Sequence, residues 1–167
     1  MKPTHTSETL PISVDILTAE QLAKPGQIGL TIAPGRQDED GKAIWNRDLQ
    51  TDLVRLRQHY GVDRLVCLLG AEEREALGIP TLLEKAKALG MTTENLAIVD
   101  DELPTSMEEF SALVDRILNA ASEGETVVIH CRGGTGRSGT VAAACLVRLG
   151  YSAEVPLPRF NKSVLGR

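Results

Sequence analysis

The stretch Val127 to Thr140, VVIHCRGGTGRSGT, ends an apolar β-branched run on Cys131 and follows it with arginines at 132 and 137 and glycines at 133, 134, 136 and 139. A loop of this make can hold a phosphate-like dianion. Gly133, Gly134 and Gly136 admit backbone conformations that side chains resist, so successive amides can converge on one point. The candidate phosphate loop therefore runs through Arg132, Gly133, Gly134, Thr135, Gly136 and Arg137. A helix starting at its end would turn its positive pole to the same point, and Arg137 adds a planar two-pronged donor suited to phosphate oxygens.

Cys131 stands at the mouth of this nest, in electropositive surroundings that favour a thiolate nucleophile. Attack on phosphorus would give a phosphocysteine intermediate, splitting a difficult hydrolysis into two displacements whose equatorial oxygens the loop amides and Arg137 stabilise. Ser138 can donate a hydrogen bond to the sulfur as it leaves. His130 fits a hydrogen-bonding role that fixes the loop better than that of a base. Two plainer readings compete. An ordinary strand-to-helix turn with a buried thiol leaves Arg137 and the five-residue spacing unexplained. A nucleotide-binding loop needs Gly-Lys-Ser or Gly-Lys-Thr at the helix start, where this chain has Gly136-Arg137-Ser138 with Cys131 in front.

The elements that must position this loop are readable from periodicity. ISVDI and IGLTI read as short strands after a polar, loosely held start over residues 1–11; APGRQDEDGK reads as a turn-rich loop. Leu49, Leu53, Leu56 and Tyr60 recur at helical spacing, with Asn46 as the expected cap and Gly61 as the stop. DRLVCLLG and ENLAIV read as buried strands separated by a helix in IPTLLEKAKALG. Ser106 and Glu109 open a capping box before the apolar face Phe110, Leu113, Val114, Ile117 and Leu118. ETVVIH is a third buried strand, and SGTVAAACLVRLG a helix packed deep in the core, where Cys145 belongs. The order predicts an α/β fold with a largely parallel central sheet flanked by helices. In the last stretch, two prolines three positions apart forbid a regular helix, so 152–167 reads as an irregular tail.

At 167 residues with 42% hydrophobic composition, the chain supports one core, assigned to residues 12–151. Its net charge of −5 argues against general affinity for nucleic acid or anionic membrane, so any anion must be caught locally. No apolar run suits a membrane span or a signal peptide, and the expected location is the cytoplasm. Three cysteines without close pairing or Cys-x-x-Cys spacing indicate neither a disulfide framework nor a zinc site. No metal or cofactor is expected.

An acid must protonate the leaving group from a separate loop. VDDELPTS, between a strand and a capped helix, is the candidate segment; its plainer reading is a solvated acidic turn at a helix start.

The motif HCRGGTGRS, His-Cys-x5-Arg-Ser, resembles the cysteine-dependent protein tyrosine and dual-specificity phosphatases. LTIAPGR, LQTDLVRLRQHYGVDRLVCLLGAEE, LGIPTLLEKAKALGM and HCRGGTGRSGTVAAACLVRLG are similar to the kinase-associated, cyclin-dependent-kinase-inhibitor-type branch, over roughly Ile28 to Tyr151. The resemblance implies a general acid about thirty positions before the cysteine, which selects Asp101, with Asp100 and Glu102 as neighbours in register. It also implies that Cys67 matches a second cysteine able to trap the oxidised nucleophile; the alternative is a small buried core residue. Arg36 lies in a loop that borders the active site in this family, although a solvated turn arginine is equally consistent. Arg132 is a candidate for contact with the substrate side chain. Relatives continue after the loop helix with further helices, whereas AEVPLPRFNKSVLGR suggests either an extended strap or a shortened end.

The expected activity is hydrolysis of phosphotyrosine, with phosphoserine and phosphothreonine left open, in a phosphorylated protein or peptide, a kinase among the candidate partners. Phosphoinositide phosphatases of this superfamily often carry lysines within the loop; this loop has none, which favours a protein substrate over an acidic small molecule. The competing class is a catalytically silent phosphate-binding or kinase-docking module.

Overall fold

The computed structural model describes residues 1–17, 19–99, 106–134 and 136–151. Its main sheet contains β2 (Asp15–Ile16), β3 (Gln27–Thr31), β6 (Arg64–Cys67), β7 (Thr92–Asn95) and β8 (Thr126–His130) in the order β2-β3-β8-β6-β7. β3, β8, β6 and β7 run parallel, and β2 is an antiparallel edge. A small second sheet joins β1 (Thr4–Thr6), β5 (Ile44–Asn46) and β4 (Gln37–Glu39) in that order. The helices are α1 (Ala19–Leu22), α2 (Leu49–Gln58), α3 (Ala71–Ala76), α4 (Leu82–Ala88), α5 (Met107–Ser122) and α6 (Gly136–Arg148). This is the expected α/β architecture.

β8 is central and covered on both faces, which is why it reads as an unbroken apolar run. Val127 and Ile129 face the layer built from Phe110, Leu113 and Ile117 of α5 and Val141 and Cys145 of α6. Val128 faces the opposite layer, with Leu53 and Leu56 of α2 and Leu82 of α4. The side-chain period of two along the strand therefore ties both helix layers to one element. Burial of Cys145 pushes its thiol up to about 12, in keeping with a core role.

Several expectations shift. The start of the chain, read as loose, forms β1 and pairs in parallel with β5 from Thr4 opposite Ile44 to Thr6 opposite Asn46. Ser7 then hydrogen-bonds the buried Asp52 carboxylate at 2.9 Å. The turn-rich segment contains β4, because Gln37 to Glu39 finds an antiparallel partner in β5. Asn46 ends β5 and is not the helix cap; Asp48 caps α2, accepting from the Thr51 amide at 2.8 Å. The strand read in ENLAIV lies earlier, at Thr92–Asn95, where an edge position tolerates polar residues, and Ile98 enters the core beyond its end. Of ISVDI, only Asp15–Ile16 is strand. The Ser106 cap forms as expected, its hydroxyl accepting from the Glu109 amide at 3.1 Å. The tail over 152–167 lies outside the described residues.

Candidate active site

β8 carries the chain through the middle of the sheet and releases it at the carboxyl ends of the parallel strands, where crevices of open α/β sheets bind ligands. Cys131 is the first residue past that end and is only 3% exposed. Its Sγ accepts a hydrogen bond from the Gly134 amide at 3.3 Å. Gly134 adopts φ of 78°, and a Cβ there would stand 2.7 Å from the Thr31 carbonyl oxygen at the end of β3. Glycine is required at this position both by conformation and by close approach. A Cβ at Gly136 would meet nothing within 4 Å, so its glycine is not demanded by space. Thr135 lies outside the described residues.

Arg137, in the first turn of α6, is buried and turns its guanidinium toward α3. Nη1 and Nη2 donate to the two Glu73 carboxylate oxygens at 2.7 and 2.9 Å, and Nη1 also donates to the Ile98 carbonyl at 3.0 Å. Arg137 and Cys131 line one cleft of about 420 Å³. Sequence reasoning missed Glu73. The signal available was electrostatic: an arginine buried at a strand-to-helix turn needs a carboxylate, and the run GAEE after β6 supplies one at the same sheet edge.

His130, fully buried, has Nδ1 3.1 Å from the Cys131 carbonyl oxygen. A carbonyl only accepts, so Nδ1 carries the proton and donates to the first residue of the loop. Ser138 is buried, and its hydroxyl makes no hydrogen bond among the described residues. The resting sulfur is served by Gly134 instead. Cys67, on β6, is the register partner of His130, the residue before Cys131. Burial pushes its thiol up, but the neighbouring His130 ring and Arg74 guanidinium outweigh this and bring it below its ordinary value. Cys67 packs in the α2 and α4 layer and Cys131 in the α5 and α6 layer, and neither is bridged.

The β4–β5 hairpin walls the cleft on its other side. Arg36 is not a solvated turn residue: it is 4% exposed and lines the cleft. Its Nε donates to Asp38 at 2.6 Å, and Nη2 reaches Asp40 at 3.2 Å. Arg132 donates through Nε to the same Asp38 at 2.9 Å, so one carboxylate ties the cysteine loop to the hairpin. Asp100, Asp101 and Glu102 lie outside the described residues. The strand and helix that flank them end at Asn95 and begin at Met107.

The model of the family described as Swiss Army Knife protein, DSP-PTPase phosphatase domain, matches residues 43–165. The chain belongs to this phosphatase-domain family. The match includes Glu73, Cys131 and Arg137. Over 112 residues the chain is 32% identical to tyrosine phosphatase 197R, as that protein of Invertebrate iridescent virus 6 is named, covering 64% of this chain and 39% of that protein. Over 140 residues it is 26% identical to cyclin-dependent kinase inhibitor 3 of Mus musculus, covering 84% of this chain and 63% of that one. The chain thus spans less than two thirds of the length of either. Its fold is similar to the crystal structure of kinase associated phosphatase with the catalytic-site cysteine changed to serine. That comparison has a TM-score of 0.79 at 22% identity, over 93% of this chain and 87% of the other.

Proposed function

We propose that this phosphatase-domain chain is a metal-independent phosphomonoesterase acting on phosphotyrosine in proteins, with phosphoserine and phosphothreonine as further substrates. The observation that carries the reading is the Gly134 amide aimed at the Cys131 sulfur, in a cleft that Arg137 also lines. The thiolate attacks phosphorus, forming an S–P bond as the ester P–O bond breaks. Asp101, or Asp100 in the adjacent register, gives its proton to the departing oxygen. Water then attacks the phosphocysteine, the same carboxylate takes a proton from it, and the sulfur leaves with inorganic phosphate as the other product. Loop amides and Arg137 hold the equatorial oxygens in both steps, and Ser138 donates to the sulfur in the second.

The name of the relative cyclin-dependent kinase inhibitor 3 supports a kinase among the phosphorylated partners. The catalytic unit is residues 12–151, working in the cytoplasm. The test is hydrolysis of 4-nitrophenyl phosphate by the native chain and by Cys131→Ser, with vanadate competition and no added metal. Turnover that vanadate blocks and the substitution abolishes is the expected result. Tight phosphopeptide binding without turnover in the native chain would favour the silent docking module.

A further inference from the structure

The cleft has two differently built walls. One is the cysteine loop; the other is the hairpin tip Asp40–Gly41–Lys42 together with Trp45. The carboxylates of the hairpin wall, Asp38 and Asp40, are committed. The Arg36 guanidinium lies 4.5 Å from the centre of the Trp45 ring, the His5 ring of β1 packs at 4.9 Å, and the indole Nε1 donates to Asp40 at 3.4 Å. Asp40 also accepts from the Lys42 and Ala43 amides at 2.8 and 2.9 Å, which with Arg36 holds it well below the usual carboxylate range. Asp38 is shared by Arg36 and Arg132.

Glu73 answers Arg137, and Asp38 and Asp40 answer Arg36 and Arg132. Lys42 lines the same cleft, and among the described residues no carboxylate stands within ion-pair distance of its ammonium. The arginines of the cleft are therefore compensated, and the excess positive charge at its lip sits on Lys42. Lys42 belongs to the hairpin wall of the cleft, apart from the cysteine loop, and is exposed.

We propose that Lys42 is a specificity residue that reads a second anionic group, a carboxylate or a phosphate, carried by the substrate beside the scissile phosphomonoester. The preferred substrates are then acidic phosphopeptides. This rests on the phosphatase reading above and names the substrate class for the same site. An exposed pair of this kind is worth up to about fivefold in kcat/KM and is screened by salt.

The experiment compares five substrates: phosphotyrosyl peptides flanked by glutamate, by glutamine or by an adjacent phosphoserine, and a myo-inositol bisphosphate set against its monophosphate. The expected result is a threefold to fivefold preference for both acidic peptides at low salt, about unity in 1 M salt, lost in Lys42→Ala and kept in Lys42→Arg. Lys42→Glu should instead favour a lysine-flanked peptide, an inversion that a merely structural lysine would not give. Equal rates on all peptides, or a preference surviving Lys42→Ala, overturns the proposal. A gain confined to the inositol bisphosphate overturns the peptide as the source of the anion. If the chain turns over no aryl phosphate, the phosphatase reading fails by itself, and the same ratios read as affinities for Cys131→Ser still decide the role of Lys42.

Discussion

Glu73 and Arg137 face each other as a fork, two nearly equal hydrogen bonds of 2.7 and 2.9 Å joining α3 to the first turn of α6. The planar guanidinium has little freedom left, so in the proposed mechanism its aim toward phosphate is set by a residue that never needs to touch substrate. On that mechanism Glu73 is a positioning residue. Glu73→Ala should lower kcat by about 100-fold, with the loss equal for good and poor leaving groups because Arg137 serves both displacements. Glu73→Gln should recover part of it. A kcat for Glu73→Ala within twofold of the native chain would show that Arg137 is aimed by other contacts.

The proposed acid should give the opposite pattern. Asp101→Asn should depress hydrolysis of phenyl phosphate by about 100-fold or more and leave an activated dinitrophenyl ester nearly unaffected, since only the poor leaving group needs the proton. The same pair of substrates applied to Asp100→Asn settles the register. Equal losses on both esters in Asp101→Asn would move the role to its neighbour.

The cysteine loop was legible because its residues are contiguous: the sulfur, the glycine that must sit at 134 and Arg137 fall within seven residues. What lay outside reach is pairing across the chain. Nothing local links Glu73 to a residue 64 positions away, nor tells a three-residue polar segment at Thr4 that a parallel partner waits at Ile44. Apolar periodicity also misplaced the fourth parallel strand, because TTEN is an edge element whose stability comes from pairing with β6 and not from its own side chains.

Cys67 and Cys131 begin in opposite apolar layers at adjacent strand ends, so a bond between them requires the cysteine loop to shift. Peroxide should first convert Cys131 to a sulfenic acid; attack by the Cys67 thiolate then forms the S–S bond and releases hydroxide. We expect a Cys67–Cys131 linked peptide under non-reducing conditions, and faster irreversible loss of activity in Cys67→Ser. A sulfenylated Cys131 that never yields this peptide would leave Cys67 as a core residue only.

Asp52 accepts four hydrogen bonds, from Ser7, the Gly35 amide and two Arg47 nitrogens, at 2.8 to 3.0 Å. Both members of its ion pair are 1% exposed. Removing one leaves the other charged and buried, so Asp52→Ala should cost about 3–5 kcal/mol in urea unfolding, and the joint change Arg47→Met with Asp52→Leu should cost less. A cost below about 1 kcal/mol for Asp52→Ala would mean that water replaces the carboxylate.

Because β8 sits between β3 and β6 and is covered by a helix layer on each face, the strand that leads into Cys131 has no free edge from which to fray. Its amide protons exchange with solvent only when the entire domain opens. Heat or denaturant therefore reaches the strand beneath Cys131 only by unfolding the domain, so the loop loses its footing at the same midpoint as the fold.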